Sequence, residues 1–155
     1  MEPTRVVEKG LAEAGHVLPR APKALGSYVP AVRSGSLVFT SGQLPLVDGT
    51  LSVTGSVPGD VTPETARESA STCTLNALAA ASTVCDLDAV VRVVKVTGFV
   101  ASEPTFTGQP SVVDGASSVM LAAFGDAGRH ARAAVGVASL PLGAPVEVEI
   151  VLEVG

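Results

Sequence analysis

The chain has 155 residues, 46% of them apolar and only 16% charged, with a formal net charge of −5. That length fits one domain with a proper core, and so little charge leaves apolar surface for an oligomer interface to cover. An acidic chain with ten Lys plus Arg, one Tyr, four Phe and no Trp lacks the basic footprint and stacking rings of a nucleic-acid binder and the polybasic face of a membrane-surface protein.

In chain order, residues 3–14 read as a short amphipathic helix, with Pro3 early and Gly15 just past its end. This N-terminal stretch has no signal-peptide core, and no run in the chain approaches the ~20 apolar residues of a membrane span. Residues 16–27 hold two prolines and little periodicity, so residues 1–23 form a helix and a connecting extension ahead of the main body. Residues 28–33 and 37–40 are strand candidates around Ser34-Gly35-Ser36, and Asp48-Gly49 is a turn signal.

Thr62-Pro63-Glu64 opens a helix with a hydroxyl cap, a proline at the first helical position and an acid in the first turn. Ala66, Ala70, Cys73, Ala77, Ala80 and Val84 recur at spacings of three and four. A stripe of such small residues lets a helix lie close against a sheet. Cys73 and Cys85 would stand roughly 18 Å apart along this pattern, too far to bridge, which predicts reduced thiols and a cytoplasmic setting. After a break at 86–88, residues 90–100 form the strongest strand, with Arg92 and Lys95 its only charges. Residues 102–109 read as a loop, 110–124 as a second long helix closed by Gly125, and two final strands end the chain. The order ββ, α, β, α, ββ predicts a single α+β domain over 1–155, with the main helices on one face of a mixed sheet. The other face then needs a cover, and oligomerisation supplies it.

Several standard sites are missing. The glycines from Gly125 to Gly136 lack phosphate-loop spacing, His16 and His130 belong to no metal-type cluster, Gly-x-Ser-x-Gly does not occur, and both cysteines read as small buried thiols. The informative residue is Arg132, set among Ala, Val and Gly on a strand, where a guanidinium is costly unless an anion meets it. Alternation places Arg132, Ala134 and Gly136 on one face, and Glu147, Glu149, Val151 and Glu153 on one face of the last strand. A hairpin through 140–144 would make these strands neighbours. Arg132 is then either paired structurally with Glu149, or it forks onto a ligand carboxylate while Glu149 handles a proton or a water. Spacing alone leaves the two open. Arg129 and His130 read as solvated loop positions. Tyr28 is either a lone edge aromatic or a phenol offered to a ligand. Ser41-Gly42-Gln43 is either a strand end or a pocket mouth, and Asp114 complements a helix dipole.

Leu25-Gly26-Ser27-Tyr28, Thr40-Ser41-Gly42-Gln43-Leu44-Pro45, Ala131-Arg132, and Leu140-Pro141 with Val146-Glu147-Val148-Glu149 together resemble the successive signatures of the reactive intermediate/imine deaminase (Rid) family. That family is also called the YjgF or endoribonuclease L-PSP family. The resemblance spans about residues 24–154. The stretch from Phe106 through Asp114-Gly115-Ala116-Ser117 and Phe124-Gly125 to Arg129-His130-Ala131-Arg132 resembles a divergent branch rather than the archetypal deaminases.

The resemblance implies a chorismate-mutase-like fold and a homotrimer whose sheets line a barrel, with pockets between subunits. It implies hydrolysis of enamines and imines such as 2-aminoacrylate to 2-keto acids and ammonia, without metal or organic cofactor. By matching position, Arg132 would bind the substrate carboxylate and Glu149 would position the attacking water. Tyr28 and Ser41 would line the pocket, and the Gly42 backbone would contact substrate. Two positions depart from the archetype: Ala134 stands where it has Cys, and Asp114 where it has Asn. The loop 102–109 is also longer. A non-catalytic trimer that binds small carboxylates or keto acids is the alternative expectation. Ribonuclease action fits the charge poorly, and neither nucleic acid nor membrane is expected as a partner.

Overall fold

A computed structural model describes residues 5–23 and 26–155. In it, helix α1 (Val6–Glu13) is followed by β1 (Ala31–Ser34), β2 (Leu37–Thr40), α2 (Pro63–Ala81), β3 (Val90–Ala101), α3 (Gln109–Phe124), β4 (Ala131–Val137) and β5 (Val146–Val154). This is the predicted element order in a mixed α+β domain. The first strand is shorter than its 28–33 forecast and leaves Tyr28 and Val29 outside the sheet. Residues 3 and 4 of the first predicted helix, and Leu25 of the first signature, lie outside the described residues.

Each helix begins for a local reason. The Thr62 hydroxyl accepts from Thr65 N–H at 3.2 Å, with Pro63 next to it. α1 receives its cap from afar, as the Asp88 carboxylate accepts from Val6 and Val7 N–H at 3.2 and 3.0 Å. Val7 and Leu11 are buried, so this helix is part of the packed body. α3 ends at Gly125, whose φ of 58° and ψ of −133° suit glycine alone.

The small stripe of α2 is buried along its length. Where α2 meets α3, a Cβ on Gly115 would run into the Arg67 carbonyl, and the Ser71 hydroxyl donates to Gly115 O at 3.0 Å. Two helices therefore approach backbone to backbone, which only small residues permit.

The sheet order is β1-β2-β5-β3-β4. β4 runs parallel to β3, and β5 is antiparallel to both β3 and β2. The expected β4–β5 hairpin does not form, because β3 lies between the two strands. The cause is α3: a strand–helix–strand crossover returns the chain parallel to the strand it left, so β4 takes the free edge of β3. Residues 138–145 then carry the chain past β3 to its other side.

Register fixes the two faces. Val96 pairs with Arg132 and with Ile150, and Val96 and Ile150 are buried under the helices. One residue on, Thr97 pairs with Ala133 and with Glu149, and that row points the other way. No described helix covers the second face. Val32, Phe39 and Val135 are exposed on it, Phe39 at 44%.

Candidate functional site

Arg132 sits on the helix side of the edge strand β4, over the second turn of α3. Its NH1 donates to Asp114 Oδ1 at 2.7 Å and to Ser117 Oγ at 3.2 Å, and its NH2 reaches Pro110 O at 3.4 Å. The side chain is 23% exposed and that of Asp114 49%. NH1 thus has two partners and NH2 one long contact, while the Nε–H has no partner among the described residues. The Nε–H and NH2 together form one of the two edges on which a guanidinium grips a carboxylate with parallel bonds.

The cluster continues beyond the arginine. Ser117 Oγ lies 2.9 Å from His130 Nε2, and His130 Nδ1 lies 2.6 Å from Gly128 O. A carbonyl only accepts, so Nδ1 carries a proton. In the neutral imidazole Nε2 then accepts from the Ser117 hydroxyl, whose oxygen accepts from Arg132. His130 is thus half-buried and bonded at both nitrogens, not the solvated loop residue its sequence position suggests. Arg129 is exposed, in a weak contact with Asp126 at 3.4 Å.

An Arg132–Glu149 ion pair is excluded within one chain. The two residues stand two strand spacings apart, roughly 10 Å, on opposite faces of the sheet. Sequence reasoning missed Asp114 as the anion for Arg132. The signal available was only its position on the helix that leads into β4.

Ala134 shares the Arg132 face and packs against the core. Beside it, a Cβ on Gly136 would meet the Gln109 amide and Ser102, so residues 102–109 reach over that part of the face. Gln109 Nε2 donates to Phe106 O at 2.8 Å and ties that loop down.

Tyr28, Ser41 and Gly42 gather elsewhere. Tyr28, 55% exposed, lines a recess of about 80 Å³ with Gly42 and Gln43. Ser41 Oγ donates to Val29 O at 2.7 Å, and Ser41 N–H to Pro30 O at 2.8 Å, so its hydroxyl serves the local backbone. Past β2 the chain continues along β5, and Gln43 exchanges two backbone bonds with Val148 at 2.8 and 3.0 Å. A side chain on Gly42 would collide with the Glu147 carboxylate. Glu147, not Glu149, is therefore the acid packed against the Gly42 backbone. Burial, and then the neighbouring Glu149 charge, raise the Glu147 carboxyl above the ordinary glutamate value. Glu149 is exposed on the open face.

The structure thus forms two groups. β2 and β4 are separated by β5 and β3, about 14 Å across three strand spacings. Both thiols are free; burial pushes Cys73 up, Glu147 adding to it, and burial also raises Cys85. Among the described residues no group of three His, Cys, Asp or Glu stands close enough to hold a metal ion, and no helix is long and apolar enough to cross a membrane.

Comparison with known proteins brings in the family. The model described as Endoribonuclease L-PSP matches residues 18–154. Protein TCP17 of Trypanosoma cruzi is 42% identical over 149 residues, which cover 95% of this chain and 93% of its own. The protein Atu1372 of Agrobacterium tumefaciens, of unknown function, superposes with a TM-score of 0.88 at 44% identity, covering 97% of this chain and 93% of that one. Escherichia coli TdcF, solved with bound serine, superposes at 0.60 and 29% identity, covering 88% and 94%. TdcF carries a provisional name as a reactive intermediate deaminase, and 42 residues, 27% of this chain and 30% of that one, are 52% identical to it. A family match of that extent, beside a relative alike along nearly all of both chains, makes this protein a member of the endoribonuclease L-PSP family, also called YjgF or Rid.

Proposed function

We propose that this protein hydrolyses enamines and imines of 2-keto acids, releasing ammonia and the keto acid, in pockets between the subunits of a homotrimer. The observation that carries the reading is Arg132: a guanidinium oriented by Asp114 and Ser117 on NH1, with its Nε–H unpaired among the described residues and its NH2 engaged only by a long contact to Pro110 O. The edge formed by Nε–H and NH2 would hold the substrate carboxylate. An enamine first tautomerises to the imine. Water adds to the carbon of the protonated imine while Glu149 takes one water proton, giving a carbinolamine. Glu149 returns that proton to the nitrogen, the C–N bond breaks to release ammonia, and the hydroxyl loses its proton to solvent as the C=O of the keto acid forms. The electrophile is already reactive, so positioning and charge complementarity are the contributions asked of the protein.

The separation of Arg132 from Tyr28, Gly42 and both glutamates supports shared pockets. A second copy brings the opposite sheet edge to Arg132, and the uncovered face with Val32, Phe39 and Val135 suits such an assembly. Serine bound in TdcF supports a ligand with a carboxylate. Two free thiols suit a cytoplasmic setting, and the charge of −5 favours a small-molecule substrate over RNA.

The test is release of ammonia and keto acid from freshly generated 2-aminoacrylate and bulkier imino acids, native protein against Arg132→Ala. Acceleration over the spontaneous rate, lost in the variant, supports the reading. Acceleration that survives Arg132→Ala rejects the clamp.

A second reading is favoured by the Asp114 carboxylate at 2.7 Å from the clamp. It competes with a ligand anion, as an asparagine would not, and suits a trimer that binds keto acids without turnover. Tight binding of keto acids with no acceleration of any imine would select this reading.

A further inference from the structure

The recess beside Tyr28 and Gly42 borders a larger cavity. That cavity, of about 340 Å³, is lined by Arg20, Pro22, Lys23, Leu46, Asn76 and Leu142 among others, and it shares Pro22, Lys23, Gln43 and Leu46 with the recess. Its volume falls within the range of small-molecule sites. Arg20 and Lys23 are two of only ten cations in the chain. Among the described residues no carboxylate lines the cavity, although the chain as a whole is acidic. Pro22, Leu46 and Leu142 supply the apolar part of its wall.

The floor is built, not incidental. Asn76, 8% exposed, spends its Nδ2 hydrogens on Leu44 O and Leu46 O at 3.0 and 2.9 Å. The charged donors left to a ligand are therefore the two cations. At the lip, Leu142 holds a left-handed backbone, φ 60° and ψ 11°, with its side chain exposed. A non-glycine residue kept in that region is a cost found where a site demands it.

From these observations we infer that this cavity receives a second acidic group of the ligand, so that the preferred substrates are imines of dicarboxylic 2-keto acids. The inference rests on the deaminase reading for the position of the first carboxylate at Arg132. A lysine-like side chain is repelled by Arg20 and Lys23. A short apolar one gains nothing from them, and a distal carboxylate gains charge-assisted hydrogen bonds.

Binding of two stable keto acids separates the possibilities. 2-Oxobutyrate and 2-oxoglutarate share the 2-keto acid head, and only the second has a distal carboxylate. Titration calorimetry on the native protein is expected to give at least tenfold tighter binding of 2-oxoglutarate, with the ratio falling towards one in the Arg20→Met, Lys23→Met double variant. Both positions are exposed or at the cavity edge, so folding is preserved, and a thermal melt checks it. Equal affinities in the native protein overturn the inference, as does no binding of either acid, or a preference that survives the double substitution. Deaminase activity without the preference leaves the function standing and removes the dicarboxylate class. The preference without any imine turnover does the reverse and leaves a dicarboxylate-binding protein.

Discussion

Arg132 on β4 and Asp114 on α3 form an ion pair with NH1 2.7 Å from Oδ1, tying an edge strand to the helix that precedes it. The pair holds the guanidinium still while partly neutralising it. Asp114→Asn keeps a hydrogen-bond acceptor at the same place and removes the charge. The account predicts keto-acid affinity higher by about two- to fivefold, the factor for a half-exposed charge pair, and a loss of stability below about 1 kcal/mol. Calorimetric titration of wild type and variant checks it, and unchanged affinity would show that Asp114 does not compete with the ligand.

His130 orients Arg132 through Ser117. His130→Ala leaves the Ser117 hydroxyl free to rotate and loosens one of the bonds on NH1. The expected outcome is a KM higher by about three- to tenfold, the worth of one such hydrogen bond, with a smaller change in kcat. Ser117→Ala should do the same, and the double variant should cost less than the sum, because the two residues act in series. A wholly additive double variant would break the link.

Glu147 gives the fold a pH signature. Its carboxyl is raised by burial first and by Glu149 second, so the folded state keeps a proton that the unfolded state has released. Stability on this account falls as pH rises from about 4.3, the ordinary glutamate value, through the raised pKa. Glu147→Gln should flatten that fall and raise stability at neutral pH. Glu149→Gln should lower the Glu147 pKa and reduce the slope without abolishing it. Urea unfolding midpoints at several pH values read both effects, and an unchanged slope in Glu147→Gln would assign it to other groups.

Gly115 tests the packing that places Asp114. An added methyl would meet the Arg67 main-chain carbonyl, which cannot rotate away, so Gly115→Ala should destabilise by about 1–3 kcal/mol. Urea unfolding measures it, and a neutral substitution would mean that α2 and α3 slide apart at no cost.

The helices were legible because their signals are local. Thr62-Pro63-Glu64 starts α2, and the alanine stripe along it names the buried side. Strand alternation correctly put Arg132 with Ala134, and Glu147 with Glu149, on common faces. It gave no information on which face of the sheet each set occupies, because that depends on pairing. Pairing was misread at β4: a short connection to β5 resembles a hairpin, while the crossover through α3 claims the edge of β3. Everything that depends on non-local geometry was hidden with it. Asp114 reaches Arg132 from a helix, Gly128 and Ser117 immobilise His130, and Glu147 owes its raised pKa first to burial.

The central claim is that Arg132 and the glutamates of β5 serve one pocket from two different chains. Arg132→Ala and Glu149→Gln, each inactive alone, can be unfolded, mixed in equal amounts and refolded together. In randomly mixed trimers about a quarter of the pockets would combine an intact Arg132 from one subunit with an intact Glu149 from the next. The account predicts that about a quarter of native imine hydrolysis returns on mixing. Two inactive variants that stay inactive in demonstrated mixed trimers would contradict it.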